Sequence, residues 1–429
     1  MLINPFTPAA IASAPDDFFG RAEELRTVET SMRQGSVLID GPIGIGKSSL
    51  LSHSILTMEG FGTDHRATSV TAVGHRDVRT VDDAALLLLQ EFVQIDETQR
   101  SAEFRVGVGI PDVLRAEYSR TGAEIFRYFQ EGRHLSALQK IVEKRSLPSA
   151  LGEGELLLLC IDEADKCPVA IARLIRSVLT YTQQQGVRSV RFVLAGVSPF
   201  FKDIVAEDAG VRRFFYKYIT LKPLTAEDSA DLLETKFALV ARDAEVQGDQ
   251  LKIHPRVIPR VVELSGGHPH ILQLLGSHLV EQENEDPDGI IDSHDLEGCL
   301  RRVCYEDRAQ VYEATLHMLD LEGRAEDLTE LLDSGRAGFP TRIEQDKAVE
   351  AIGNEAIQWF VEHNILSPRD GAVYGLVDEF LRIRLLLDQL EKDEEIREVE
   401  LEVLRQFAAR SSFSEEGDFE DDIRIVDEE

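Results

Sequence analysis

An α/β fold is predicted: a parallel sheet between two layers of helices, followed by a largely helical remainder. Three observations carry that prediction. Short segments dominated by apolar residues recur at 36–40, 156–161 and 190–195, as expected of strands covered on both faces. Stretches of helical period separate them, and strands alternating with helices imply parallel pairing. From Pro223 onward the alternation stops and helical patterns take over.

Composition bounds the rest. With 429 residues, two or three domains are expected. Apolar residues make up 43% and charged residues 29%, a globular composition, and 30 Gly with 15 Pro exclude collagen-like or fibrous chains. Against 78 acidic residues stand 46 basic ones, a formal net charge of −32. That mean field repels phosphate, so a generally basic nucleic-acid coat is excluded and only local basic patches remain. Cys160, Cys167, Cys299 and Cys304 form no CxxC pair and read as buried reduced thiols. No apolar run approaches the roughly 20 residues needed to span a membrane. The start, from Met1 to Pro5, lacks the pattern of a signal peptide, so a cytoplasmic protein without membrane contact is expected.

Residues 1–20, rich in Pro, Ala and Asp, read as an N-terminal arm. A helix pattern follows over 21–33, with Ala22, Leu25, Val28 and Met32 on one face. The run 36–40 is a buried strand leading through a glycine loop into a helix that starts near Lys47. Further strands are expected at 68–73, 156–161, 190–195 and 218–221, and helices at 82–93, 124–144 and 169–184. Past Pro223, 225–242 and 259–281 read as helices, and Asp286-Pro287-Asp288-Gly289 as a turn and candidate linker. Within the helix-rich 291–390, Arg369-Asp370-Gly371 between apolar flanks suggests a hairpin wing. The last 39 residues hold 16 acids and 5 bases, a net of −11, and read as a helix to about Arg410 followed by a disordered acidic tail.

Gly41-Pro42-Ile43-Gly44-Ile45-Gly46-Lys47-Ser48-Ser49 fits the phosphate-binding pattern GxxxxGK[ST] in its required setting, between a strand and a helix. Glycines let the loop curl so that backbone N–H groups face an anion, and the following helix adds its positive end. Lys47 would reach the β- and γ-phosphates, and the Ser48 hydroxyl would ligate Mg²⁺. Such a loop needs a carboxylate for the metal shell at the C-terminal end of a neighbouring parallel strand. Asp162 closes the run 156–161 at that point. Glu163, one residue further out, is placed to orient an attacking water, whereas Asp165 and Lys166 read as structural.

With these residues the chain resembles P-loop ATPases of the AAA+ class, in particular the STAND and origin-recognition-like (archaeal-type) branch. The resemblance is carried by the segment Phe19-Gly20-Arg21-Ala22-Glu23-Glu24-Leu25, the glycine loop and Asp162-Glu163. It continues through Leu194–Pro199, Leu221–Thr225 and Ser265-Gly266-Gly267-His268-Pro269, and together these span roughly residues 18–280. The implied division is an ATPase core over 21–222, a helical lid over 223–285, a winged-helix-like domain over 291–390 and the acidic tail over 391–429. The winged-helix part rests on 360–366 and 374–381.

The resemblance implies ATP with Mg²⁺ as cofactors. It implies that Phe19, Gly20 and Arg21 line the adenine side, and that Ser198 is a polar sensor near the γ-phosphate unless it is an ordinary strand-end serine. Arg212 or Arg213, just before the last strand, would be an arginine finger for a neighbouring copy in a homo-oligomer, or else an exposed pair. Where many relatives carry a lid arginine this chain has His268, which would contact the nucleotide or serve only for packing. STAND proteins usually carry sensor repeats and an effector domain, and this chain has neither, so action through a separate protein partner is implied.

Two functions follow. The first is an ATP-hydrolysing conformational switch or oligomeric assembly. The second is a DNA-binding initiator or a mobile-element or defence regulator. The candidate groove helix, 346–363, offers Lys347 against Asp346, Glu350, Glu355 and Glu362. A helix that enters a groove should offer donors to phosphates and base edges, so DNA is the less favoured partner. Arg173, Arg176, Arg382 and Arg384 read as surface salt bridges.

Overall fold

The computed structural model describes residues 1–8, 10–12, 17–60, 67–101, 120–146, 155–197, 200–248, 250–334, 341–369 and 372–390. They fall into two compact units, one within residues 11–222 and one made of residues 1–10 with the described residues from 223 onward. Among the described residues no helix is long and apolar enough to cross a membrane.

The first unit alternates as predicted: α1 (Ala22–Met32), β1 (Ser36–Gly41), α2 (Lys47–Gly60), β2 (Ala67–Val73), α3 (Val81–Ser101), α4 (Arg120–Gln130), α5 (His134–Arg145), β3 (Leu156–Asp162), α6 (Pro168–Gln184), β4 (Val190–Val197), α7 (Phe200–Glu207) and β5 (Phe215–Thr220). All neighbouring strands run parallel, in the order β2-β3-β4-β1-β5. Every residue of β1 is buried, and β3 is buried up to Asp162. One core layer joins Leu157, Leu159 and Ile161 to α3 and α6. The other joins Leu158 and Cys160 to Val37, Ile39 and the α1 residues Val28 and Met32. Each large side chain so buried stabilises the sheet by roughly 2 kcal/mol before entropy.

Two expectations are corrected here. The strand carrying Asp162 is not beside the strand of the glycine loop, because β4 lies between β3 and β1. Two ladder spacings, roughly 10 Å, therefore separate their axes. The helix expected over 124–144 is two helices, because Gly132 takes φ 70° and breaks the run.

The second unit contains α8 (Ala226–Gln247), β6 (Lys252–Ile253), α9 (Val257–Ser265), α10 (Pro269–Glu285), β7 (Ile290–Ile291), α11 (Ser293–Arg302), α12 (Ala309–Leu321), α13 (Ala325–Ser334), β8 (Ile343–Glu344), α14 (Gln345–Glu362), β9 (Leu366–Arg369), β10 (Val373–Leu376) and α15 (Glu379–Leu390). Strands do not stop at Pro223: β6 and β7 pair in parallel, too short to leave a period in the sequence. The turn before β7 lies inside this unit, with the Gly289 N–H donating to Glu283 Oε1 at 2.9 Å. The expected helix 259–281 is divided at Gly266-Gly267, both left-handed, and restarts with Pro269. The antiparallel pair β9–β10 is extended by β8. Gly353 interrupts α14 with φ 77° and ψ 162°, leaving two helical halves.

The first residues of the chain pack on this unit. Leu2 N–H donates to Asn284, Ile3 N–H to Asp243, and the Asn4 amide to Ser277. Phe6 is buried edge-on against Phe237, 5.0 Å between ring centres. All four cysteines are buried thiols outside any disulfide, as expected. Residues 391–429, including any helix to Arg410, lie outside the described residues.

Gly267 offers a stability test of this unit. It has φ 76°, and a Cβ there would stand 2.2 Å from the Leu224 carbonyl oxygen. The Gly267 carbonyl in turn accepts the Leu224 N–H at 2.8 Å. We expect Gly267→Ala to destabilise the unit by roughly 3 kcal/mol, combining left-handed strain with overpacking. Calorimetry should show its unfolding temperature lowered by about 6–12 °C.

Candidate functional site

The glycine loop is held from below and left open above. Gly41, Gly44 and Gly46 have φ of 154°, 76° and 98°, values that L side chains rarely adopt. At Gly41 space matters too, because a Cβ would lie 3.0 Å from Ile45 Cγ2 and 3.1 Å from the Leu221 carbonyl oxygen. Ile45 is fully buried in the core and anchors the loop, while Ile43 and Gly44 are exposed on its rim. Helix α2 begins at Lys47, so its unbonded N–H groups face the curl.

Lys47 is buried and folds back on its own loop, donating from Nζ to the Gly41 carbonyl at 3.0 Å and to the Pro42 carbonyl at 2.6 Å. Burial pushes its ammonium below the ordinary lysine range, while Asp165, Asp162, Asp40 and Glu163 push the other way. Ser48 is half-buried in the first turn of α2. The Ser49 hydroxyl accepts the Ala12 N–H at 3.1 Å. Phe18 stacks on His53 of α2 at 4.1 Å, and Phe19 is half-buried beside it.

Gly20 takes φ 64°, and Arg21 just precedes α1. The Arg21 side chain is buried and already engaged. It donates to the Lys222 carbonyl at 2.6 Å and the Ile45 carbonyl at 3.3 Å, and pairs with Glu24 at 2.9 Å. It thus ties the glycine loop to the segment after β5.

At the end of β3, Asp162 Oδ1 accepts the Glu163 N–H at 2.9 Å. Glu163 is exposed and left-handed, with φ 50° and ψ 37°. Held conformations of this kind cost about 1–3 kcal/mol and persist where neighbours enforce them. The neighbours are visible: Gly74 N–H donates to the Asp162 carbonyl at 2.8 Å, and Lys166 N–H to the Glu163 carbonyl at 3.0 Å. Asp165 Oδ1 accepts the Val197 N–H at 2.9 Å, tying this turn to the end of β4. Asp165 thus has the structural part expected of it.

A Cβ on Gly74 would stand 2.5 Å from the Glu163 carbonyl oxygen, which the backbone cannot give without moving Glu163. For a nucleotide-hydrolysing chain that uses Glu163, Gly74→Ala should lower the rate of phosphate release at least tenfold, about 1.4 kcal/mol of barrier. Nucleotide affinity should stay within about threefold, since the mutated turn is not the phosphate loop. Parallel rate and binding titrations check both.

The buried Asp40, just before the loop, was not signalled as a site residue. Its carboxylate accepts the Tyr218 hydroxyl, and its carbonyl accepts the Leu221 N–H at 2.8 Å. Burial pushes the Tyr218 phenol up, with the Asp40 contact adding to it. An aspartate at the end of an otherwise apolar strand was the one available signal.

The remaining candidates divide. Ser198 lies outside the described residues. Arg212 and Arg213 are exposed on a 3-10 turn before β5, with Arg213 over the Phe214 ring at 4.7 Å. His268 belongs to the second unit, where it precedes α10 and its N–H donates to the Ser265 carbonyl at 3.0 Å. Arg173 and Arg176 pair with Glu207 and Asp208 at 2.6 and 2.5 Å, as ordinary surface bridges. Arg384 pairs with Asp388 at 2.7 Å, and Arg382 donates to Thr341 at 3.3 Å.

No family model matches the chain, and no curated protein matches its sequence. Solved structures do match. A Walker-type ATPase of Pyrococcus abyssi is 14% identical, with 88% of this chain and 99% of that one covered at a TM-score of 0.52. Cdc6p from Pyrobaculum aerophilum is 14% identical, with 91% and 98% covered at 0.43. The ORC2 protein of Aeropyrum pernix is 11% identical, with 86% and 94% covered at 0.47. At such identities the likeness is one of fold. The likeness to the first of these, together with the sheet order and the glycine loop at the end of β1, gives this chain the three-layer α/β fold of the P-loop NTPases.

Proposed function

We propose that this chain binds ATP with Mg²⁺ and hydrolyses it, as an AAA+-type nucleotide switch or assembly acting on a protein partner. One observation carries the reading. Lys47, at the start of α2 after the glycine loop of β1, and the Asp162-Glu163 turn after β3 stand at the same C-terminal end of one parallel sheet. That is the arrangement in-line phosphoryl transfer to water requires: a cation and N–H groups for the phosphates, and a carboxylate beyond them.

The donor set suits a hard divalent ion. Among the described residues no group of three or more His, Cys, Asp or Glu side chains could hold a metal by itself. The hydroxyl of Ser48 and the carboxylate of Asp162 would hold Mg²⁺ together with phosphate oxygens, as magnesium sites in such folds do. Bound there, the ion would neutralise phosphate charge. Lys47 would leave the Gly41 and Pro42 carbonyls for the β- and γ-phosphates. Glu163 would orient the attacking water and take its proton. Arg21 would keep the loop in place from behind, with Phe19 and Gly20 toward the base. Ser198 and His268 are proposed as γ-phosphate and lid contacts. Arg212 or Arg213 would act on the site of a neighbouring copy.

For 291–390 we propose a winged-helix-like domain, on the order β8, α14, β9, β10 with a break at Gly353. A DNA-reading role is disfavoured because Lys347, the base on α14, pairs with Glu344 at 3.2 Å. The deciding experiment is titration calorimetry of the full chain with ATP, with and without Mg²⁺, alongside phosphate release. Mg²⁺-dependent binding with turnover is expected, and no adenine-nucleotide binding with Mg²⁺ present would end the reading. DNA binding that weakens steeply with salt would instead favour the initiator reading.

A further inference from the structure

The edge of the sheet at β5 combines three features, of which the ATPase reading uses only the candidate finger, Arg212 or Arg213. Among the described residues it is open: β5 pairs with β1 on one side and ends the strand order on the other. An unpaired edge presents a row of N–H and C=O groups, and edges of this kind template pairing with another chain. It is aromatic: Tyr216 and Tyr218 are 54% and 41% exposed. A register shift between Ser36 and Val37 makes Tyr216 the extra residue of a bulge, while Tyr218 lies toward Phe201 at 5.0 Å.

It is also basic in a chain of net charge −32. From Ala209 to Leu224 there are four bases, Arg212, Arg213, Lys217 and Lys222, and no acid. All four are exposed. Proteins commonly blunt an edge with lysines, so Lys217 could serve only that end. The run of four cations without one acid, in so acidic a chain, asks for an anionic occupant as well.

The chain contains a complementary segment. Residues 411–429, outside the described residues, carry nine acids and one base. They also carry Phe413, Phe419, Ile423, Ile425 and Val426, with Arg424 between the isoleucines, the alternation expected of a strand-forming peptide. Backbone pairing with an open edge supplies affinity, and alternate side chains supply selectivity.

We propose that the β5 edge is a docking surface for the acidic segment 411–429 of a second copy of this chain. Overall repulsion between two acidic chains does not forbid this. At about 0.15 M salt the screening length is roughly 8 Å, so local complementarity outweighs the net charge. The contact is independent of ATP turnover, and it supplies self-association without the arginine finger.

The test is light scattering of the full chain over a concentration series, with no nucleotide, at low and physiological salt. Concentration-dependent association is expected, weaker at higher salt. It should fall at least tenfold in Lys217→Glu/Lys222→Glu and equally on removal of residues 411–429. Mixing the Lys217→Glu/Lys222→Glu chain with an Asp421→Lys/Asp422→Lys chain should restore it, which general damage to the fold could not do. Association that survives removal of 411–429, or no association at any concentration, overturns the proposal. So does failure of the charge exchange to restore association. Binding of a 20-nucleotide dT strand that both lysine changes abolish, without self-association, would assign the edge to nucleic acid instead.

Discussion

Glu163→Gln should bind ATP within about threefold of the parent chain while releasing phosphate 10²–10⁴ times more slowly, the usual span for loss of a general base. The asymmetry comes from how the residue is held. Its backbone, not its carboxylate, makes the visible bonds: the N–H to Asp162 Oδ1, and the carbonyl to the Lys166 N–H. A glutamine keeps both and suffers the same left-handed φ of 50°. What disappears is the capacity of an exposed carboxylate to take a proton from water. Since Glu163 also acts on the Lys47 charge, its neutralisation removes one acid from that field, while Asp165, Asp162 and Asp40 remain. Equilibrium binding of a fluorescent ATP analogue and steady-state phosphate release separate the two effects. Unchanged turnover would take Glu163 out of the mechanism.

What could be read without coordinates was what leaves a local mark. Six apolar residues in a row ending in an acid made β3 and its boundary plain, and the glycine loop carries its own conformational signature. Contacts between distant residues left no such mark. Arg21 reaches the Lys222 carbonyl across 201 positions, and Tyr218 reaches Asp40 across 178. The place of β4 between β1 and β3 is likewise a property of chain crossovers, since each strand alone reads the same wherever it sits in the sheet. The helix breaks at Gly132 and at Gly266-Gly267 are a different matter. The glycines were in plain view, and the apolar period on either side outweighed them.

Lys47→Ala should weaken Mg²⁺–ATP binding about 100-fold or more, taking about 3 kcal/mol for loss of charge-assisted bonds to the phosphates. The fold should survive. Lys47 bonds only to loop carbonyls of Gly41 and Pro42, while Ile45, buried in the core, and Arg21, on the Ile45 carbonyl, hold the loop independently. An unfolding temperature within a few degrees of the parent, beside a large loss of affinity, separates phosphate binding from structure. The parent should show a second signature on the alkaline side. Burial sets the free ammonium below the ordinary lysine range, and the neighbouring carboxylates only partly restore it. Phosphates would hold that proton more tightly, so binding requires proton uptake once pH passes the lowered free value. Affinity should then fall as pH rises, beginning below the range where an exposed lysine titrates. The residual binding of Lys47→Ala should lack that alkaline fall. If parent and variant lose affinity together, the proton belongs to another group and Lys47 is not the phosphate ligand.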